Sequence, residues 1–487
     1  MYLSRIYPQP AKFNEIGGTP FVFGAVVRAN TPASLSNVVR QSLSRLWNSF
    51  SFTASKLEIC YLPAVERTNT LIIGDYPQSE AIALDAGGYF TIRSDYRGAV
   101  ISAVSEKALI DGFSSLVQLI TPKSLGYDSE ELYIEPAEIV GKPTLKARMI
   151  HLCVFPESEL PTLEKAIAFA GFLGFTHVIL EFWGMLRYDS LPELGWEHAF
   201  TKAQIKPLVD LAHGWGMEVV PMINHLGHAT QSRCGMGRHT VLNQNPRLQM
   251  YFEPDGWTWC ATNPDTRRLL SDIRAELIEL CGDSDYFHLG FDEAYSFASC
   301  PECRRQIPHE LLAEYINYLA SELAKYNRRA IIWHDELIDR SQFPSDFPQA
   351  IVANGGGHKT TGALELLDRS IIIADWQYEY TGKANPTTPY FIEKGFDVLC
   401  CPWDNPANVK SLCDSARESG AMGVMLTTWH HLPDCISKLP RFAEFVAHGG
   451  DYAPVPITET AALLRKLYPA VRQTYSESGW RGREVEG

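Results

Sequence analysis

Two carboxylates stand side by side in the segment YFHLGFDEAY, residues 286–295. The segment opens with a short apolar run that is typical of a buried strand and that closes on a glycine. Asp292 and Glu293 follow directly, with Phe291 before them and Ala294 after them. A charged pair in apolar surroundings costs free energy unless something binds it or uses it. The pair is therefore the first candidate for acid–base chemistry.

Other strand-like runs also end in polar or aromatic residues. Carboxylates can move protons, and aromatic faces stack on the apolar faces of sugar rings, so this set is typical of a glycosidase. Taken singly, a strand-end acid is often a helix cap or an ion-pair partner, and a Trp is often core; only their shared location favours a site. The residues are Asn224, His225, His228, His334, Asp335, Glu336, Trp376, Trp403 and Trp429.

Eight apolar runs that read as strands position these residues, and helical patterns separate most of them. This alternation predicts a (β/α)8 barrel, although a doubly wound open sheet fits it nearly as well. No Gly-rich phosphate loop follows a strand, which argues against nucleotide binding. In a barrel, the carboxyl ends of the strands form the active site. The predicted strands are 148–153, 176–182, 217–223, 286–290, 330–335, 370–376, 397–403 and 423–429.

The chain before the barrel has a different pattern. Short β-rich runs punctuated by Gly, Pro, Asn and Asp lead to one amphipathic helix, EKALIDGFSSLVQLI. This pattern predicts a small α+β unit. We therefore divide the chain into an N-terminal α+β domain, residues 1–143, and a catalytic barrel with a C-terminal helix, residues 144–487.

Composition and charge exclude several functions. The 487 residues are 45% hydrophobic and carry a formal net charge of −14 without long charged runs. This balance argues against binding to nucleic acid and against binding to an anionic membrane surface. The N-terminus lacks the apolar region of a secretory signal, and no run is long enough to span a bilayer. We expect a cytoplasmic protein with no cofactor; the sequence does not predict the oligomeric state.

Eleven cysteines are scattered along the chain. Their odd number and the missing signal favour reduced thiols over a disulfide framework. The Cys300-Pro-Glu-Cys303 segment has the spacing of half a zinc site, which Cys234 and Cys260 could complete. Without a second Cys-x-x-Cys pair, free buried thiols are favoured, and no metal is expected.

The motifs resemble one known family. FHLGFDEAY resembles the His-x-Gly-Gly-Asp-Glu signature of family-20 glycoside hydrolases, the β-N-acetylhexosaminidases. The segments KARMIHL, VVPMINHLGHA, WCATNPDTRRLL, IIWHDEL, IIIADW and GVMLTTW resemble further motifs of that family in the same order. Two N-terminal segments, IYPQPAKF and GAVISAVSEKALIDGFSSLVQLI, are similar to the small domain that precedes its barrel. The resemblance covers nearly the whole chain.

The resemblance implies an exo-acting, retaining enzyme that removes terminal β-linked N-acetylhexosamine from an oligosaccharide or glycoconjugate. In that family the 2-acetamido oxygen of the substrate attacks the anomeric carbon and forms an oxazolinium intermediate. Glu293 would be the general acid and then the general base. Asp292 would orient the acetamide N–H and balance its developing charge.

Further roles follow by the same resemblance. Arg148 would bind sugar hydroxyls, and His228 would support the acid. Trp376 and Trp429 would pack against the acetamide and the sugar ring, and Trp333 is a further candidate for this contact.

Several positions depart from the family pattern. Phe291 replaces the second glycine of the signature, Asn224 replaces an aspartate, and His431 stands where a sugar-binding glutamate is usual. The tyrosine expected near the seventh strand is missing, and Trp403 and Asp404 lie nearby instead. Two alternatives stay open: a non-catalytic carbohydrate-binding protein on this fold, or a β-glycosidase for a sugar without the acetamido group.

Overall fold

The computed structural model describes most of the chain. The described residues are 6–32, 34–50, 56–62, 69–75, 88–124, 130–229, 242, 245–343, 351–383, 385–429, 432–449 and 453–467. None of the helices in these ranges is both long enough and apolar enough to cross a membrane.

Within the ranges just given, ten strands precede the barrel. They form a seven-stranded sheet in the order β1-β10-β6-β7-β5-β3-β4 and a three-stranded sheet in the order β2-β9-β8. Their bounds are β1 Lys12–Glu15, β2 Phe21–Phe23, β3 Val26–Pro32, β4 Lys56–Leu62, β5 Thr70–Gly74, β6 Phe90–Asp95, β7 Gly98–Ala103, β8 Thr121–Ser124, β9 Glu130–Ile134 and β10 Ala137–Gly141.

Eight parallel strands then close into a barrel. Their bounds are β11 Ala147–Cys153, β12 His177–Glu181, β13 Glu218–Met222, β14 Tyr286–His288, β15 Arg329–Trp333, β16 Ile372–Trp376, β17 Asp397–Cys401 and β18 Gly423–Thr427. All eight predicted strands are confirmed within a few residues. The open-sheet alternative is wrong, because β11 pairs with β18 as well as with β12.

Helices surround the barrel and connect it to the first domain. Their bounds are α1 Asn37–Phe50, α2 Glu106–Leu119, α3 Leu160–Phe172, α4 Lys202–Gly214, α5 Pro264–Cys281, α6 Pro308–Ala324, α7 Gly355–His358, α8 Ala363–Leu366, α9 Thr387–Glu393, α10 Pro406–Ser419, α11 Leu432–His448 and α12 Ile457–Leu467. Helix α5 begins as its sequence predicts: the Asn263 side chain accepts the backbone N–H groups of Asp265 and Thr266, and Pro264 occupies the first turn.

Alternation along the strands fills the barrel interior. Side chains that point inward from successive strands pack into one buried cluster, so the interior is solid and any site must lie at a rim. The cluster includes Met149, Ile179, Val220, Ile331, Ile372, Leu399 and Met425. Helix α2 contacts β6 and β7 of the first domain and α3 of the barrel, and it joins the two units. The predicted domain boundary falls between Gly141, the end of β10, and Ala147, the start of β11.

Candidate active site

The carboxylate pair stands on a strained turn after β14. Gly290 has φ +76°, Phe291 has φ +83° and Glu293 has φ +47°. A side chain at Gly290 would place its Cβ 2.3 Å from Cγ of Asn224, so only glycine fits there. Each non-glycine residue in this backbone region costs on the order of 1–3 kcal/mol, and such strain is typical of functional sites. The glycine that the family pattern has in place of Phe291 would relieve part of this strain, while the buried Phe291 ring packs against Tyr315.

Neighbouring strands hold the strained turn through its backbone N–H groups. The N–H of Phe291 donates to Oδ1 of Asn224 at 3.0 Å. The N–H of Glu293 donates to Oδ2 of Asp335 at 2.9 Å, and that of Ala294 donates to Oε1 of Glu336 at 2.9 Å. Three side chains from the ends of β13 and β15 therefore fix the direction in which the pair points.

One imidazole contacts both carboxylates. Nε2 of His228 lies 3.3 Å from Oδ2 of Asp292 and 3.0 Å from Oε2 of Glu293. Burial by itself would lower the pKa of His228, but the charge of Asp292 and the close contacts with both acids raise that pKa to about 9. The imidazole is thus a cation at neutral pH and lies between the two acids.

The two carboxylates differ in their freedom to react. Asp292 is occupied on both oxygens, because Nδ2 of Asn224 donates to Oδ1 at 2.5 Å and His228 contacts Oδ2. The Glu293 side chain is 17% exposed, against 7% for Asp292. Glu293 therefore can reach a bound molecule and exchange a proton with it, whereas Asp292 is fixed in one orientation.

Aromatic rings enclose the acids and the imidazole. Trp183 stacks on His228 with ring centroids 5.4 Å apart, and Trp257 lies 4.5 Å from the same ring. The indole N–H of Trp257 also donates to the backbone carbonyl of Glu293 at 2.5 Å. These contacts hold the His228 ring in the orientation in which its Nε2 contacts both acids.

A second group of rings forms a wall beside the pair. Trp333 and Trp429 lie 6.3 Å apart, and Trp376 and Tyr378 lie 5.0 Å apart. The indole N–H of Trp429 donates to the hydroxyl of Tyr378 at 2.9 Å, which joins the two halves of the wall. A second indole, that of Trp376, donates to Oδ1 of Asp335 at 3.2 Å, so the wall is tied to the residue that anchors Glu293. Apolar faces next to acids suit a sugar ring.

The sequence comparison agrees with this geometry. Residues 178–430, a little over half of the chain, match the family described as glycosyl hydrolase family 20, catalytic domain. The chain belongs to glycosyl hydrolase family 20. The match includes the pair, His228 and all the tryptophans of the wall.

Three similar proteins are distant from this chain in sequence. The probable beta-hexosaminidase fdl of Drosophila melanogaster is 22% identical over 274 residues, which cover 49% of this chain but only 39% of that protein. The beta-N-acetylhexosaminidase of Bacteroides fragilis has a TM-score of 0.68 at 19% identity and covers 96% of both chains. A mutant Streptomyces plicatus beta-hexosaminidase, solved with the product GlcNAc, has a TM-score of 0.64 at 15% identity, again over 96% of both chains. At these identities the structures show that this family-20 chain shares their fold.

Two of the sequence-predicted residues lie at the edge of the wall. Trp403 lies 5.3 Å from Tyr378, and its indole N–H donates to the carbonyl of Thr428 at 3.4 Å. Asp404 is next to it, but its carboxylate forms an ion pair with Lys438 at 2.6 Å. The lysine therefore competes with any sugar hydroxyl for Asp404.

Arg148 does not join the site. Its guanidinium donates to the carbonyls of Gly174 and Leu145, lies 3.4 Å from Asp111 of α2 and packs over Tyr89. These partners belong to the opposite end of the barrel and to the first domain. The structure corrects the expectation that Arg148 binds sugar hydroxyls, because Arg148 is near the start of β11, whereas the pair follows the end of β14.

His431, the other residue expected to contact sugar, lies outside the described residues, as does His430. Its proposed role stays a prediction.

Two residues of the site were missed in the sequence. His151 contacts Oε2 of Glu181 at 2.8 Å, and its ring lies 4.8 Å from Trp429. The signal was present: when KARMIH is read in register with the family pattern Arg-Gly-x-Met-Leu-Asp, the last residue falls on His151 and the first on Lys146, not on Arg148. Tyr378 follows Trp376 by two positions, the spacing that puts two side chains on one side of an extended chain. The family pattern predicts a tyrosine near the seventh strand, whereas the structure has Tyr378 after the sixth.

Proposed function

We propose that this chain is an exo-acting, retaining β-N-acetylhexosaminidase that uses the 2-acetamido group of its substrate as the nucleophile. The observation that carries this proposal is the unequal environment of the two adjacent acids. Asp292 is held on both oxygens, and Glu293 is accessible. An acid with both oxygens occupied is a poor nucleophile and a good fixed charge, so the nucleophile comes from the substrate.

In the first step Glu293 gives its proton to the glycosidic oxygen as the bond to the anomeric carbon breaks. The acetamide oxygen attacks that carbon from the other face and forms the oxazolinium ion. Asp292 accepts the acetamide N–H and stabilises its growing positive charge, which is electrostatic stabilisation by a preorganised group. Water then attacks the anomeric carbon, and Glu293 takes its proton. Two inversions give net retention.

The aromatic wall would bind the acetamide group and the sugar ring. The Tyr378 hydroxyl accepts the Trp429 indole N–H, so its own proton can be donated to an acetamide oxygen. Burial, as the largest effect, raises the pKa of Tyr378 well above its usual value, which keeps the hydroxyl protonated. The methyl group of the acetamide would fit against Trp333 and Trp429.

The relatives named above support the substrate class, because they are described as β-hexosaminidases and one holds GlcNAc. The experiment compares release of a chromogenic leaving group from β-GlcNAc and β-glucoside, with thiazoline inhibition as a second readout. We expect turnover of the acetamido sugar only, and tight thiazoline binding that is lost in Asp292→Asn. Comparable rates on both sugars would support a glycosidase without substrate assistance, and binding without turnover would support a carbohydrate-binding protein.

A further inference from the structure

A group of three thiols and one carboxylate lies next to the candidate active site. The ligand atoms of Glu253, Cys260, Cys300 and Cys303 all lie within 4.8 Å of one another. The Cys260 sulfur is 3.7 Å from that of Cys300 and 3.8 Å from that of Cys303. In a tetrahedral zinc site with Zn–S bonds near 2.3 Å, two sulfurs are about 3.8 Å apart. The arrangement therefore has the dimensions of a zinc site before any ion is added.

Spacing alone does not decide between a metal and three neutral thiols in contact. The carboxylate of Glu253 supplies a second observation. Its Oε2 accepts the N–H of Cys300 at 2.5 Å and the hydroxyl of Ser299 at 3.1 Å. The other oxygen, Oε1, is buried and accepts no hydrogen bond from the residues that the structure describes. A buried oxygen without a donor costs free energy, and a cation among the thiols would satisfy it.

A backbone N–H and a hydroxyl lie within hydrogen-bond distance of the sulfurs, as such groups do around thiolate ligands. The N–H of Cys303 donates to the sulfur of Cys300 at 3.3 Å, within the Cys300-Pro-Glu-Cys303 turn. The hydroxyl of Thr262 lies 3.2 Å from the sulfur of Cys303. Donors around the ligands orient them and stabilise their negative charge.

A disulfide explains the group less well. One disulfide would join two of the thiols and leave the third sulfur and the Glu253 carboxylate facing each other without a shared partner. A metal ion uses all four donors at once. From these four residues we infer a structural zinc site, with Cys260, Cys300 and Cys303 as thiolate ligands and Glu253 as the oxygen ligand.

The position of the site indicates a structural role. It cross-links the segment 253–260, which contains Trp257, to the segment 300–303, which follows the carboxylate pair by only seven residues. Trp257 holds both His228 and the carbonyl of Glu293. Four protein ligands leave no open position for water, so the ion would hold these loops and would not act on substrate. This proposal departs from the expectation that the cysteines are free thiols and that no metal is bound; Cys234, the other cysteine considered, lies outside the described residues.

The metal content of the purified full-length chain tests the inference without any substrate. After dialysis against metal-free buffer under reducing conditions, we expect about one zinc ion per chain by plasma mass spectrometry. The double variant Cys300→Ser, Cys303→Ser should retain at most about a tenth of that. Cys281→Ser is the matched control, because Cys281 is a buried thiol of α5 away from the group, and it should retain the wild-type content.

Two further measurements remain informative if the double variant fails to fold. X-ray absorption of the wild type should show about three sulfurs near 2.3 Å and one oxygen at about 2.0–2.2 Å. Ser299→Ala, which removes a hydrogen bond to Glu253, should weaken zinc binding about 10–100-fold in competition with a chelator, as loss of an outer partner does elsewhere. Three results would overturn the inference: no retained metal, a zinc shell without sulfur, or a disulfide between Cys260 and either other cysteine in the fresh protein.

Discussion

Two Asp-Glu pairs follow neighbouring barrel strands and have different environments. Asp292 and Glu293 follow β14, and Asp335 and Glu336 follow β15. The first pair contacts one cationic imidazole and reaches solvent through Glu293. The second pair is almost fully buried, and its oxygens accept backbone N–H groups from the turn that carries the first pair. In the proposed function, the same two residue types perform chemistry at one strand end and support it at the next.

The electrostatics of the second pair are consistent with a supporting role. Burial, followed by the negative charges of Glu336 and Asp292, raises the pKa of Asp335 well above its usual value. Its partners are all donors: the Glu293 N–H, the Asn354 amide at 2.7 Å and the Trp376 indole. These donors hold Asp335 in one geometry, and its complete burial keeps it away from a substrate.

The largest predicted contrast is between the two glutamates. Glu293→Gln should lower kcat about 10²–10⁴-fold, since it removes the proton donor. The melting temperature should fall only slightly, because Asp292 still contacts His228. Glu336→Gln weakens the anchor on Ala294 and the contact with His358, so it should cost about 1.5–3 kcal/mol of unfolding free energy and much less turnover. Activity assays and thermal unfolding of both variants measure this. If Glu336→Gln is the more damaging change to turnover, the two pairs have been assigned in the wrong order.

The two aspartates should differ next. Asp292→Asn keeps the shape but removes the charge that balances the oxazolinium, so kcat/KM should fall about 10²–10³-fold. Asp335→Asn should lose less activity, because it sacrifices one hydrogen bond of the supporting group. Steady-state kinetics on a β-GlcNAc glycoside compare them. Equal losses would mean that Asp292 acts through geometry only.

Each pair also has its own histidine, which gives a pH prediction. The pKa of His228 is raised to about 9, so its stabilising effect is fully present below its unfolded pKa and is lost as the pH rises through about 9. The shift corresponds to about 3 kcal/mol of unfolding free energy. Urea unfolding between about pH 6 and pH 10 should show this loss in the wild type and not in His228→Asn.

His358 supplies the control for that experiment. It lies 2.7 Å from Glu336, and the hydrogen bond to Glu336 raises its pKa, but its side chain is partly exposed. His358→Asn should therefore keep most of the alkaline loss of stability. If the unfolding free energy of the wild type does not change through pH 9, the charge of His228 does not stabilise the fold.

These contrasts also show what the sequence could predict. Eight apolar runs and the cap of α5 are sufficient for the order of strands and helices, because period and capping are local properties. The choice of a closed barrel over an open sheet depends on the pairing of β11 with β18, which no local pattern encodes. The strand-end rule placed both acid pairs at one rim. The rule could not show which pair is catalytic and which is supporting. That difference depends on hydrogen bonds across strands, such as the one from Asn224 to Asp292, which no local pattern encodes.

Arg148 and the cysteines show the same limit. A motif match near a strand start put Arg148 in the site, whereas the structure pairs it with Asp111 of α2, 37 residues earlier in the chain. The spacing of Cys300 and Cys303 is that of half a zinc site, but the sequence favours free thiols. It offers Cys260 as one possible partner, whereas Glu253 has no such signal, and only the fold brings it near the three cysteines.

The smallest expected effect on activity is at Arg148, at the opposite end of the barrel. Arg148→Met should leave KM for a β-GlcNAc glycoside unchanged, because its partners are Gly174, Leu145 and Asp111 and no residue of the pair. It should lower the unfolding free energy by about 1–3 kcal/mol, since buried hydrogen bonds are lost. A large rise in KM with normal stability would restore Arg148 as a sugar ligand.

The central claim is that the substrate supplies the nucleophile while Asp292 only holds it. Fluorination of the acetamido methyl group weakens that nucleophile without changing its position. For a series of aryl β-GlcNAc substrates with zero to three fluorines on that methyl group, we predict that kcat/KM of the wild type falls steeply with each fluorine. A rate that is independent of fluorination would contradict the account, because the attacking atom would then have to come from the protein or from water.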